Sequence, residues 1–167
     1  MNHEELIDLL ELKMIAFNRG DAMRIHHLMK VHRLAQLIGH MEHLDKHTQF
    51  LTECAALVHD IGIRPSEEKY GACNGPLQEQ EGPPYARALL EELGLESGDI
   101  DRICYLVGHH HTYTHIDGAD YQILVEADFL VNFYEDGLGR EAVHNALDQI
   151  FRTPSGKMLC STIYPLE

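Results

Sequence analysis

Apolar residues recur three and four positions apart through most of this chain, and that spacing predicts helices. The first apolar stripe continues to Phe17 and stops at Gly20, where a helix end favours a residue that tolerates positive φ. Asp21 is then a suitable N-cap for a second helix. No alternating strand pattern and no internal repeat occurs, so the predicted fold is all-α, with about six to seven helices. The predicted helices span residues 6–17, 22–38, 48–59, 83–94, 100–107, 121–134 and 140–151.

Two segments interrupt the helical pattern. Residues 64–84 contain glycines, prolines and acids without sustained periodicity, so we expect a long loop that is functional or mobile. Pro83 and Pro84 fit the first turn of the helix that follows, which places Glu81 at its start. Asp99 is predicted to cap the next helix. In the tail, residues 159–164 fit either a short strand or coil.

Composition indicates one folded domain of 167 residues, of which 44% are hydrophobic. The formal net charge of −14, from 13 Lys plus Arg against 27 Asp plus Glu, disfavours duplex nucleic acid as a partner. No apolar run is long enough to span a membrane and the first residues lack a basic signal region, so we expect a cytoplasmic protein without membrane contact. The four cysteines include no CxxC pair, as expected for reduced thiols.

Histidine is the unusual residue in this composition, since the 13 histidines equal all the lysines and arginines together. The helix predicted over 48–59 ends in the pair His59-Asp60, followed closely by Gly62. Burying an imidazole beside a carboxylate costs several kcal/mol unless another charge compensates, and a divalent cation does so directly. The alternative is a surface pair at a helix end, where the helix dipole favours a histidine.

Two further residues point to the same centre. His27 lies beside the apolar stripe of the second predicted helix, and apolar neighbours on a later helix turn Asp128 inward. Three helices can therefore bring His27, the His59-Asp60 pair and Asp128 together. Such a mixed nitrogen and oxygen set suits a divalent transition metal (Mn, Fe, Co, Ni or Zn, with Mg possible) and leaves room for water or substrate.

These elements resemble the HD-domain superfamily of metal-dependent phosphohydrolases, whose pattern is a histidine, then His-Asp, then a distant aspartate. Residues 27–35 resemble its first-histidine helix, residues 55–62 its His-Asp helix, and residues 125–128 its final aspartate element. The resemblance covers about residues 20–135 of a single domain over 1–167, in which 136–167 form a C-terminal helix and tail. It implies an HD-domain helical bundle around a metal centre.

Many members of that superfamily hold a second metal through further histidines, one of them in the middle of the chain. Residues 61–108 of this chain contain no histidine, which departs from the family pattern. Glu81 stands where the resemblance places that ligand, and Gln78 or Glu79 could stand there instead. A carboxylate in place of imidazole keeps metal binding possible, so the expected cofactor is one or two ions.

The run 109–111 supplies the later histidines of the pattern. His110 lies three residues beyond Val107 on the same helix face, so His110 is the favoured metal ligand. The resemblance assigns His111 as a phosphate contact or proton donor, and a shift of register would make His109 the ligand. A solvated histidine turn is the alternative interpretation.

The activity implied by the resemblance is hydrolysis of a nucleotide, a dinucleotide or a small phosphoester by metal-activated water. Asp60, bridging two ions, and His111 are the expected catalytic residues. Lys69, Arg64 and His109 are candidate substrate contacts. The alternatives are a di-iron oxygenase of the same fold, distinguished by iron content and oxygen uptake, and a non-catalytic metal-containing binding module. A homo-oligomer is compatible with each of these three functions.

Overall fold

The computed structural model describes residues 1–166, and within them it contains nine helices and no strand, which confirms the all-α prediction. The helix count exceeds the expected six to seven. The helices are α1 (His3–Phe17), α2 (Ala22–Met41), α3 (Lys46–Val58), α4 (Ile63–Tyr70), α5 (Gly75–Glu92), α6 (Ser97–Val107), α7 (Ala119–Glu135), α8 (Arg140–Gln149) and α9 (Pro154–Ile163).

Side-chain caps define where several helices begin. The Asp21 carboxylate accepts from the backbone N–H of Arg24, which confirms the predicted start of α2. Asp45 accepts from the N–H groups of His47 and Thr48 at the start of α3. The prediction of Asp99 as the cap of α6 is wrong, because α6 begins two residues earlier and Asp99 lies in its first turn.

The segment predicted as a loop, 64–84, is largely helical. The Asn74 side chain accepts from the N–H of Leu77, and this cap starts α5 well before Pro83 and Pro84. Both prolines therefore lie inside α5, where each removes one intrahelical hydrogen bond without ending the helix. The sequence reading failed here because it took the prolines as a helix start and overlooked the stronger cap at Asn74.

The C-terminal tail also folds differently from the expected short strand or coil. Thr153 accepts from the N–H of Gly156 and starts α9, which covers most of the tail. The buried Glu126 of α7 accepts from the N–H groups of Arg152 and Thr153, and so attaches this start to the core. The Thr153 cap followed by Pro154 is a local start signal that the sequence reading overlooked, whereas the Glu126 contact is long-range.

Helices α2, α3 and α7 pack against one another at the centre, and α6 packs between α3 and α5. Almost every residue from Gln49 to Ile63 is buried, since α3 is surrounded by other helices. The four cysteines form no disulfide. None of the helices within residues 1–166 is both long enough and apolar enough to cross a bilayer.

Close backbone contact holds α5 against the end of α3. A Cβ added at Gly62 would lie 2.6 Å from the carbonyl oxygen of Gln78 and 2.7 Å from the amide nitrogen of Gly82. These are backbone atoms of a helix and cannot move aside as a side chain end would. The absence of a side chain at Gly62 therefore sets how near α5 comes to the His59-Asp60 pair.

Gly62→Ala should lower the free energy of unfolding by about 1–3 kcal/mol, because α5 must be displaced to admit the methyl group. Gly98→Ala is the matched control, since a Cβ there meets nothing within 4 Å. It should change stability by less than about 1 kcal/mol, in the stabilising direction. Urea denaturation measures both, and equal effects of the two substitutions would contradict the close-contact argument.

Candidate metal centre

Four buried side chains from three helices converge at the centre of the bundle. His27 comes from α2, His59 and Asp60 from the end of α3, and Asp128 from the middle of α7. The Nε2 atom of His27 lies 3.3 Å from His59 Nε2, 3.1 Å from Asp60 Oδ2 and 3.2 Å from Asp128 Oδ1. His59 Nε2 lies 3.3 Å from the same oxygen of Asp128. The structure thus brings together all four residues predicted for the first ion.

The outer nitrogens of both imidazoles determine what the inner nitrogens offer. His59 Nδ1 lies 2.8 Å from the carbonyl oxygen of Ala56, and His27 Nδ1 lies 2.8 Å from Glu135 Oε2. Both oxygens can only accept, so each Nδ1 carries a proton, and each ring turns a lone pair inward when its Nε2 is deprotonated. The buried Asp128 Oδ1 has no hydrogen-bond partner among the described residues.

A cation fits this arrangement. Once His27 is deprotonated, four lone-pair donors lie close together with no proton between them, which is unfavourable unless a positive charge lies among them. With bonds of about 2.0–2.1 Å, neighbouring ligands of a tetrahedral ion lie about 3.3 Å apart, close to the separations seen between the two imidazoles and from each imidazole to either carboxylate. The residues present therefore suit a divalent metal by donor type, by spacing and by the unpartnered oxygen of Asp128.

In the metal-free protein, a proton on His27 supplies part of the positive charge that the two carboxylates require. Burial lowers the pKa of His27, but the Asp128 and Asp60 carboxylates more than offset that effect and raise it to about 11. Burial would likewise raise the pKa of both carboxyl groups, yet the neighbouring imidazoles hold them well below their usual range. A metal ion must therefore displace a proton from His27.

A second cluster shares Asp60 with the first. Asp60 Oδ1 lies 3.2 Å from His110 Nε2, while Asp60 Oδ2 lies 3.1 Å from His27 Nε2, so each oxygen of Asp60 belongs to a different cluster. The Nδ1 of His110 donates to the carbonyl oxygen of Val107 at 2.8 Å, which leaves a lone pair on the inner nitrogen of the neutral ring. Burial lowers the pKa of His110, but the Asp60 carboxylate more than offsets that effect and raises it. Ligand atoms of Asp60, His110 and His111 lie within 4.8 Å of one another.

The first turns of α5 hold His111. Its Nε2 lies 2.7 Å from Gln78 Oε1, and its backbone N–H donates to Glu79 Oε1 at 3.0 Å. The Glu79 carboxylate also accepts from the Thr112 hydroxyl at 2.9 Å, so it fixes the turn that carries His110 and His111. Burial and the neighbouring His110 lower the pKa of His111 to about 4. The ring is therefore neutral near physiological pH.

Glu81 lies outside both clusters. Its carboxylate is 2.5 Å from Lys69 Nζ and accepts from the Tyr70 hydroxyl at 2.8 Å, and both partners come from α4. The expectation that Glu81 begins a helix beside the site is wrong, since α5 starts six residues earlier at Gly75. One turn before Glu81 on the same helix, the Gln78 side chain lines the pocket.

A pocket of about 390 Å³ opens at the clusters. None of the three candidate substrate contacts lines it. Lys69 pairs with Glu81, Arg64 donates to the Phe17 carbonyl and pairs with Glu68, and His109 stacks on Tyr105. These contacts, some within the same helix and some with a neighbouring one, hold the three side chains outside the pocket despite their sequence proximity to the site.

Sequence reasoning missed several residues that line the pocket, among them Arg24, Asn132 and Glu135. Each follows from helical spacing. Arg24 lies three positions before His27 on α2, and Asn132 and Glu135 lie four and seven positions after Asp128 on α7. Extending the face of each predicted ligand by one or two turns would have found them.

The HD domain family model matches residues 24–145, a range that contains both clusters. A crystal structure of a predicted HD superfamily hydrolase from an uncultured Thermotogales bacterium is similar to this fold, with a TM-score of 0.64 and 25% sequence identity. The alignment covers 96% of this chain and 84% of that chain. No curated protein matches this chain.

Asp60→Ala should reduce bound transition metal from at least about one ion per chain to near zero, because Asp60 offers an oxygen to each cluster. His110→Ala should remove only what the second cluster holds. Glu81→Gln, which changes a buried carboxylate outside both clusters, should retain full metal content. Elemental analysis and metal-induced thermal stabilisation measure this series. A wild-type protein that neither carries metal nor is stabilised by any added transition metal would contradict the centre.

Metal affinity should rise with pH. The pKa of His27 lies above neutrality in the metal-free protein, so each ion displaces about one proton, and affinity should increase about tenfold per pH unit between about pH 6 and pH 8. Calorimetric titration in buffers of different ionisation enthalpy counts the released protons. An affinity independent of pH would show that His27 is not protonated before the metal binds.

Proposed function

This chain belongs to the HD domain family, and we propose that it is a metal-dependent phosphohydrolase acting on a small phosphorylated compound such as a nucleotide, a dinucleotide or a phosphomonoester. The observation that carries the proposal is the unpartnered, buried Asp128 Oδ1 among inward lone pairs, directly beside an open pocket. A purely structural metal site would be closed by protein ligands. The pocket of about 390 Å³ instead leaves access for a substrate.

His27, His59, Asp60 and Asp128 would hold the first ion, and Asp60, His110 and His111 offer places for a second. When bound there, a divalent metal supplies water of lowered pKa and polarises a phosphoryl oxygen. That chemistry suits cleavage of a phosphoester or phosphoanhydride bond.

Groups of the protein itself orient the histidine ligands and exclude bulk water from the centre. The Ala56 carbonyl and the Glu135 carboxylate already fix the rings of His59 and His27, so neither imidazole has rotational freedom to lose when a metal binds. The packed helices keep bulk water away from all but the pocket side, which strengthens each charge interaction inside. Net charge of −14 also favours a small substrate over an extended polyanion.

His111 is the chain's candidate for proton transfer. With Nε2 donating to Gln78 Oε1, the Nδ1 atom of the neutral ring is left with a lone pair. That atom can accept a proton during attack of water on phosphorus, or serve as a ligand of the second ion. The Glu79 carboxylate fixes the backbone of this turn by accepting from the N–H of His111, and Gln78 holds the ring.

Metal-loaded protein should release inorganic phosphate from one or more members of a panel of nucleotides, dinucleotides and p-nitrophenyl phosphate. Asp128→Ala should lower kcat/KM by about 10³-fold or more, equivalent to about 4 kcal/mol of transition-state stabilisation. Asp148→Ala, on the exposed face of α8, is the control and should change kcat/KM by less than about threefold. Colorimetric phosphate detection with Mn, Fe, Co, Ni, Zn and Mg measures these rates.

Retained metal without phosphate release from any compound would contradict the proposal. Iron-dependent oxygen uptake in that case would favour the oxygenase alternative, and the absence of any turnover would favour a binding module.

A further inference from the structure

Arg24 presents a cation to the candidate pocket without a strong partner of its own. It lies on α2 one turn before His27, and its side chain is only 16% exposed. Its Nε lies 3.5 Å from Asp21 Oδ2, and its Nη2 lies 3.9 Å from Glu67 Oε1, which is beyond hydrogen-bond distance. Among residues 1–166, neither Nη atom of Arg24 makes a hydrogen bond.

The other cations near the site are engaged elsewhere. Lys30 Nζ lies 2.5 Å from Glu135 Oε1, and Lys69 Nζ lies 2.5 Å from Glu81 Oε2. Neither of these lysines lines the pocket, and in the described part of the chain Arg24 is the lining residue with a permanent positive charge. A guanidinium with unfilled N–H groups is suited to bind phosphate oxygens in a bidentate manner.

The charges around the pocket limit how much negative charge a substrate can carry. Asp60 and Asp128 face the metal clusters, and Glu135 already accepts from His27 and Lys30. Asp136 adds an exposed carboxylate to the lining. One arginine and the metal centre can balance a single phosphate, whereas the extra phosphates of a triphosphate would lie near carboxylates without further cations.

The remaining polar lining is uncharged. Asn132 of α7 and Gln78 of α5 line the pocket from two different helices, and their amide groups both donate and accept hydrogen bonds. Such groups suit hydroxyls or the edge of a neutral ring better than they suit an anion. The pocket therefore combines one site for phosphate with a neutral polar region for the rest of the molecule.

We infer that Arg24 binds the substrate phosphate and that the substrate is a monoester, with a single phosphate on an uncharged polar group. This inference rests on the proposed phosphohydrolase function and specifies its substrate class and a specificity-determining residue. The nucleoside monophosphates are the members of the proposed substrate range that fit, and triphosphates and dinucleoside polyphosphates are excluded by their charge.

The test compares the metal-loaded wild type with Arg24→Gln on a nucleoside 5′-monophosphate and on the triphosphate of the same nucleoside. The wild type should show a kcat/KM at least about tenfold higher for the monophosphate. Arg24→Gln should raise KM for the monophosphate about 10- to 100-fold with a smaller change in kcat. Arg24→Lys should recover part of this loss, since it restores the charge without the bidentate geometry.

Arg33→Gln is the matched control, because Arg33 lies on the same helix and donates to Gln36 on the exposed surface. It should leave KM unchanged within about twofold. Metal content and thermal stability of Arg24→Gln should equal those of the wild type, which separates loss of phosphate binding from loss of the fold. Binding of inorganic phosphate, measured by calorimetry on the metal-loaded proteins, gives a readout that does not depend on turnover.

The outcomes separate this inference from the proposed function. If the wild type hydrolyses the monophosphate while Arg24→Gln keeps the same KM and phosphate affinity, the role of Arg24 is overturned and the hydrolase function stands. A wild-type preference for the triphosphate overturns the single-phosphate substrate class. If no phosphoester is hydrolysed, the proposed function fails. In that case the calorimetric binding of inorganic phosphate tests the role of Arg24. Binding by the wild type that is lost in Arg24→Gln supports a phosphate site at Arg24, and equal binding by both proteins, or no binding by the wild type, overturns it.

Discussion

The rest of this structure depends on the burial of two carboxylates and two imidazoles at one point, where α2, α3 and α7 meet. Buried charge of this density is unfavourable unless a cation or a proton compensates it. The four groups cannot move apart to relieve the repulsion, because each is carried on a helix packed by buried apolar side chains. The same packing that makes the domain stable therefore holds open a place for positive charge.

Precise orientation of the ligand atoms comes from the groups just behind them. The outer nitrogens of His59 and His110 each donate to a carbonyl oxygen three residues earlier, so the helix ends themselves set the two ring orientations. The outer nitrogen of His27 is held instead by Glu135 from another helix. The first two rings are thus oriented locally, whereas the His27 ring depends on the docking of α7 against α2.

One side of the pocket beside the clusters is closed by α5, whose approach is possible because Gly62 carries no side chain where it meets the backbone of Gln78 and Gly82. That approach brings Gln78 and Glu79 to the histidine turn and leaves Glu81 facing α4. A family pattern that places a metal ligand in this part of the chain is therefore met here by an amide and a carboxylate that bond to His111. The departure from the pattern changes what surrounds the second cluster without removing Asp60 or His110 from it.

Helical periodicity alone determined the all-α fold, and it predicted that His27 and Asp128 lie on inward faces, because an amphipathic helix buries its apolar face. The convergence of those faces was implied by the chemistry of the residues and by their resemblance to a known pattern. The start of α5 is set by a local cap at Asn74, which the two prolines nearby concealed. The attachment of the helical tail and the engagement of Lys69 and Arg64 were decided by the tertiary structure. They depend on contacts the local pattern does not contain: a distant Glu126 that anchors the start of α9, and carboxylate or carbonyl partners that hold the two cations away from the pocket. Side chains with several polar partners within reach are positioned by whichever partner the packed helices bring closest, and only the folded chain specifies which one that is.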